Sequence, residues 1–142
     1  MLTKQVSVFL ENKSGRLNEV AKILGSSNIN ISAFTVADST DFGILRLIVN
    51  DPEKACGILK QNNFSVSTTD VVLVKSPNKP GALLKLLDIL NTEDVFIEYL
   101  YAFSMSETNA VFVVRPSNIK RCIEMLEKHR VELLGESPDY NF

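Results

Sequence analysis

From Lys4 to Leu10 apolar and polar residues alternate, with Val6, Val8 and Leu10 on one side and Gln5, Ser7 and Phe9 on the other, which is the period of a strand. The period then changes. Leu17, Val20, Ala21 and Leu24 fall at i, i+3, i+4 and i+7, one face of a helix, and predict a buried stripe. Gly25-Ser26-Ser27-Asn28 ends that helix. Ile29 to Val36 reads as a second strand, Asp38 to Asp41 as a polar turn and Gly43 to Val49 as a third strand. Asp51-Pro52 suits a helix start, Ala55, Ile58 and Leu59 supply its apolar face, and the chain is extended again from Val66.

The second half repeats this order. Val71 to Lys75 is a strand, and a helix from about Gly81 carries Leu83, Leu86, Leu87 and Leu90. Strands follow at Val95 to Phe103 and Ala110 to Val114, then a helix with Ile119, Cys122, Ile123 and Leu126, and a strand near Val131 to Leu134. "NKSGRLNEVAKIL" and "NKPGALLKLLDIL" match at a constant offset: Asn12 to Asn78, Gly15 to Gly81 and Leu24 to Leu90 each differ by 66, the mark of an internal duplication. Strand, helix, strand, strand, helix, strand, written twice, predicts an α+β protein of two ferredoxin-like βαββαβ modules. Each has an antiparallel sheet with its helices on one face. The expected domains are residues 1–69 and 70–142, each too small to be very stable apart. Thr68, Thr69 and Asp70 form the only candidate linker. The last strand of one half can therefore run straight into the first strand of the other, and strand order and strand exchange stay open.

Composition narrows the function. Hydrophobic residues make up 45% of the chain and charged residues 23%, enough apolar material for a core. With 15 Lys+Arg against 17 Asp+Glu the formal charge is -2, and no basic cluster favours nucleic acid. The alternating start lacks a signal peptide's apolar run and no stretch approaches a membrane span, so a cytoplasmic protein is expected, with no membrane partner. Cys56 and Cys122, one in each half, have no second Cys or His at metal-ligand spacing and are expected as reduced, buried thiols. No metal and no cofactor is expected.

In each copy a strand ends, Asn-Lys-x-Gly turns the chain, and a helix begins. The first amide N–H groups of a helix lack internal partners and carry the positive end of its dipole, so such a turn can hold a carboxylate or phosphate. Gly15 and Gly81 carry no side chain to block that approach; Ser14 could cap the first helix and Pro80 suits the opening of the second. Turn and capping chemistry without a ligand explains the same residues.

The element order, the turns "NKSGRL" and "NKPGAL", and "SSNINISAF" opening the second strand resemble a tandem pair of ACT domains, small amino-acid-binding regulatory modules, over nearly the whole chain. The resemblance implies a site at the seam between two such modules, with the glycine turn of one facing the second strand of the other. The amino acid's carboxylate would be held by turn amides and its ammonium by nearby carbonyls and polar side chains. Carried over, the first turn offers Asn12, Lys13, Ser14, Gly15, Arg16 and Leu17, with Asn28, Ile29, Asn30 and Ile31 on its strand. The second offers Asn78, Lys79, Pro80, Gly81, Ala82 and Leu83. There "TEDVFIEY" puts Asp94 and Val95 where the first half has Asn28 and Ile29, and Phe96 in place of Asn30, so the two sites are expected to be unequal.

The remaining residues favour no enzyme. His129 has no Ser or Cys motif beside it; Lys13 and Lys79 read as wet turn lysines, Arg46 as facing solvent or an acid, and Tyr99, Tyr101 and Phe103 as packing between the halves. RNA-recognition modules need central-strand aromatics that "QVSVFL" and "FGILRLIV" lack. Metal carriers of this topology need paired cysteines in the first turn, and acylphosphatase-like enzymes need more than Arg16 in that loop. The reading is a non-catalytic sensor with a free amino acid as ligand. Binding at the seam would favour one relative placement of the two halves, and the resemblance implies that a metabolic enzyme or regulator reads that change; a homodimer is expected, with the oligomeric state left open. The alternative is a structural or protein–protein interaction module of the same fold.

Overall fold

A computed structural model describes residues 2–11, 13–38 and 41–135. Its elements are β1 (Thr3–Glu11), α1 (Arg16–Ser26), β2 (Ile31–Asp38), β3 (Phe42–Val49), α2 (Pro52–Gln61), β4 (Ser65–Pro77), α3 (Ala82–Thr92), β5 (Ile97–Ser104), β6 (Asn109–Pro116), α4 (Ile119–Lys128) and β7 (Leu133–Leu134). The chain divides into two compact units, Lys4–Thr69 and, with Thr3, the chain from Asp70 on. The βαββαβ order appears twice because β4 serves both copies: its first residues close one unit and its remainder opens the other. Thr68, Thr69 and Asp70 lie inside this unbroken strand.

In the first unit β3 pairs antiparallel with β1, Val8 opposite Leu45, and with β2, Val36 opposite Leu45. In the second the strand order is β7-β4-β6-β5, all antiparallel neighbours, with Val74 opposite Phe112 and Ala102 opposite Phe112. Each unit has its own core. Val6, Val8, Val20, Leu24, Leu45, Leu47 and Leu59 cluster in one; Val72, Val74, Leu86, Leu90, Val114 and Leu126 cluster in the other. Full burial of such a side chain contributes about 1.5–3 kcal/mol.

The buried helical stripes differ from those the spacing predicts. Val20 and Leu24 are buried, but Leu17 and Ala21 are exposed; in α3 Leu86 and Leu90 are buried while Leu83 is exposed and Leu87 half-buried. The stripe that meets the sheet runs through Arg16, Val20, Ile23 and Leu24, at i, i+4, i+7 and i+8. Arg16 takes its first-turn position because the guanidinium lies 4.2 Å from the Phe64 ring centre, where its apolar stem can be covered and its charge meets the ring face. On β1 the side expected to be polar is also buried at Gln5 and Ser7, and Gln5 Nε2 donates to Ser7 Oγ at 3.2 Å, the kind of bond that polar groups removed from water need.

The four helices among the described residues end alike. Asn28, Asn63, Asp94 and Arg130 have φ of 59°, 67°, 55° and 59°, and the next residue's N–H reaches back five positions: Ile29 to Leu24 O at 2.9 Å, Phe64 to Leu59 O at 3.0 Å, Val95 to Leu90 O at 2.8 Å and Val131 to Leu126 O at 2.9 Å. This is the left-handed Schellman stop, with an apolar residue just beyond it. It delays β2 to Ile31 and β5 to Ile97, two residues later than the apolar pattern suggests. Asn28 and Asp94 match at an offset of 66, Asn63 and Arg130 at 67, because three residues separate β2 from β3 and four separate β5 from β6. Cys122 therefore matches Ala55 rather than Cys56. Both thiols are free and buried, and burial raises both pKa values, that of Cys122 to about 11.

Candidate functional site

Gly15 and Gly81 stand at the N-caps of α1 and α3 with φ of 86° and 87°, a left-handed conformation that costs any other L residue. A Cβ built on either would meet nothing within 4 Å, so the space in front of each turn is open. Arg16 N–H donates to Lys13 O at 3.5 Å and Ala82 N–H to Lys79 O at 3.3 Å; the helical bonds begin with Glu19 to Gly15 O at 2.9 Å and Lys85 to Gly81 O at 3.0 Å. The amides of Leu17 and Asn18, and of Leu83 and Leu84, are left without an acceptor among the described residues. Neither helix has a side-chain cap. Ser14 thus lies in the turn without capping α1, and Pro80 precedes the glycine instead of opening α3. By contrast, α2 and α4 are capped by Asp51 and Asn118, whose Oδ1 atoms accept from Lys54 N–H and Arg121 N–H at 3.1 Å.

A cavity of about 450 Å³ lies at the second turn, lined by Asn78, Lys79, Pro80, Gly81, Ala82 and Leu83 on one side and by Ala102, Phe103, Ser104, Ala110 and Phe112 on the other. Topology explains this wall. β4 and β5 both run antiparallel to β6, so their C-terminal ends share one edge of the sheet, the edge where the glycine turn follows β4. Asn78 N–H donates to Thr108 O at 2.9 Å, which holds the turn against the β5–β6 loop. Among the described residues of the lining, Lys79 alone is charged.

All six second-turn residues expected from the sequence line this cavity, while Asp94 and Val95 lie at the opposite end of α3, roughly 16 Å away for an 11-residue helix. Asp94 N–H donates to Asn91 O at 3.1 Å within the helix stop. In the first unit Lys13, Ser14, Gly15, Arg16 and Leu17 sit at the start of α1, and Asn28, Ile29, Asn30 and Ile31 at its far end; Asn12 lies outside the described residues. Asn30 N–H donates to Asn50 Oδ1 at 3.0 Å and Ile29 is buried. Neither unit by itself brings its glycine turn together with the start of its own second strand. Ala102, Ser104, Ala110 and Phe112 are absent from the site residues expected from the sequence, and Phe103, expected as packing between the halves, lines this cavity; the signal for them was topological, since a split βαβ module puts the end of its second strand beside the first turn.

The other candidates have local roles. His129 Nε2 and Lys128 Nζ each lie 3.1 Å from Glu93 Oε1, and His129, then Lys128, holds the Glu93 carboxyl below its usual pKa. Among the described residues no group of three or more His, Cys, Asp or Glu is placed to hold a metal, and no helix is long and apolar enough to cross a membrane.

The family model described as an ACT domain pair matches residues 1–139. A crystal structure of a protein from Bacteroides thetaiotaomicron is 53% identical over 100% of this chain and 98% of that one, with a TM-score of 0.94. The regulatory subunit of aspartate kinase from Thermus thermophilus shares the fold at 11% identity, covering 88% of this chain and 91% of that one, with a TM-score of 0.64. Aspartate kinase of Clostridium acetobutylicum, described as an allosteric enzyme, matches over 88% of this chain and 32% of its own at 17% identity and a TM-score of 0.51. A search of the curated proteins finds no match. Two βαββαβ copies, a left-handed glycine turn opening each first helix, and the match along 139 residues place this chain in the ACT domain pair family.

Proposed function

We propose that the chain is a non-catalytic sensor that binds a free amino acid at its glycine turns, with an uncharged, apolar side chain preferred at the second. ACT domains are regulatory modules, and the observation that carries the ligand reading is the cavity at Gly81. It joins acceptor-free amides of a helix start, suited to a carboxylate, to walls of Pro77, Leu83, Ala102, Phe103 and Phe112, suited to a hydrocarbon side chain. The second strand of another such module completes the site and supplies ammonium acceptors, so binding favours one placement of modules over another. That bias cannot exceed the ligand's differential affinity for the two states. A metabolic enzyme or regulator reads the outcome.

The second reading is an interaction module without a small ligand, favoured by Phe34 and Phe96, whose exposures are 62% and 72%. A thermal-shift screen against the twenty amino acids separates the two, since a ligand of the folded state adds RT ln(1 + [L]/Kd) of stability. The sensor gives an upward shift with leucine, isoleucine, valine, methionine or phenylalanine, abolished in Gly81→Val. No shift with any amino acid at millimolar concentration transfers the function to the interaction module.

A further inference from the structure

A second cavity, of about 200 Å³, lies along α3 between β4 and the turn that joins α4 to β7, and shares only Pro77 and Ala82 with the lining of the first. Four of its lining residues are basic or imidazole, Lys75, Lys85, His129 and Arg130, against one acid, Glu132; Ile89 and Val131 form part of an apolar floor. Lys75 Nζ is 3.6 Å from Glu132 Oε1 and His129 is engaged with Glu93. Lys85 and Arg130 have no ion-pair partner among the described residues. The excess of positive charge is therefore local, in a chain whose formal charge is -2.

The duplication provides an internal control. At matched positions the first unit has Arg16 for Ala82, Glu19 for Lys85, Asn63 for Arg130 and Phe64 for Val131. There the space is plugged: the Arg16 guanidinium lies over the Phe64 ring at 4.2 Å and Nη1 donates to Glu19 Oε2 at 2.9 Å. In the second unit both plug residues are small, the acid has become a lysine, and the asparagine in the left-handed position has become an arginine, though its φ of 59° favours asparagine. A copy that had only lost its plug would need none of these basic replacements.

We propose that this cavity is a separate binding site for a small anion bearing a phosphate or a dicarboxylate. The Arg130 fork and the Lys85 ammonium supply charge-assisted donors to its oxygens, and the apolar floor lowers the local dielectric that would weaken them. A space this small, below the usual range for drug-sized ligands, suits a metabolite-sized anion.

The test is isothermal titration calorimetry of the whole chain with inorganic phosphate and, separately, with succinate, at ionic strength held constant with chloride because exposed charges are screened by salt. The expected result is saturable binding of at least one of them, weakened at least tenfold in the Lys85→Gln/Arg130→Asn double variant, which alters only exposed side chains. Phosphate alone would assign a phosphate ester, succinate a dicarboxylate. Val131→Phe, which restores the ring of the first unit while keeping both cations, is expected to abolish binding. Absence of saturable heat with both anions at millimolar concentration, or wild-type affinity in either variant, overturns the proposal.

Discussion

Adding one methyl group at Gly81 and at Gly25 tests whether the glycine turn is set by backbone conformation and not by crowding. A Cβ at either position meets nothing within 4 Å, so neither change carries a packing penalty. Gly81 has a φ of 87°, where a non-glycine residue costs roughly 1–2 kcal/mol. Gly25 lies in the last turn of α1 with no left-handed φ, where alanine instead of glycine gains at most about 0.5–1 kcal/mol. The same substitution should therefore destabilise at one site and stabilise at the other. Urea unfolding measures both. With a slope of about 1–3 kcal/mol per molar, Gly81→Ala is expected to lower the midpoint by roughly 0.5–1 M and Gly25→Ala to raise it by about half as much. Against a total stability of about 5–15 kcal/mol, Gly81→Ala remains folded. Shifts of one sign for both variants, or a loss above about 4 kcal/mol at Gly81, would refute the reasoning.

Core and surface leucines should part sharply on the helices: Leu24→Ala and Leu90→Ala lose about 2–5 kcal/mol by cavity formation, while Leu17→Ala and Leu83→Ala, at 45% and 42% exposure, stay within about 0.5 kcal/mol of wild type in the same assay. Cys56 and Cys122, buried and with raised pKa values, are expected to resist a thiol-specific disulfide reagent at neutral pH until urea unfolds the chain; labelling of the native protein at the free-cysteine rate would contradict this. The Glu93 carboxyl is held below its ordinary pKa of 4.5, so its stabilising contribution is present above that pH and is lost as pH falls through the lowered folded value. Glu93→Gln should flatten the acid side of the stability-versus-pH curve below about pH 4.5.

The duplication, the glycine turns and the element order were legible in the chain because each rests on local signals: a period of 2 or 3.6, a glycine, a repeated phrase. What was not legible depended on neighbours distant in sequence. The helical stripe includes Arg16 in place of Leu17 because Phe64, 48 residues on, offers its ring to the guanidinium. The late start of β2 and β5 follows from left-handed Asn28 and Asp94, and an aspartate in that conformation is a weak sequence signal. The one-residue difference between the β2–β3 and β5–β6 connections makes Cys122 the counterpart of Ala55 in the repeat. The cavity wall of Ala102, Phe103, Ser104, Ala110 and Phe112 came from strand order, which periodicity does not encode.

The central claim, that the turn amides of the second unit hold an amino acid's carboxylate, is tested most directly by following the backbone amide resonances of the isotopically labelled chain during titration with leucine. The account expects saturable shifts of Gly81, Leu83 and Leu84, with Ala102 and Phe112 moving in parallel at the same apparent Kd. Binding that leaves those amides still and moves residues elsewhere would contradict it.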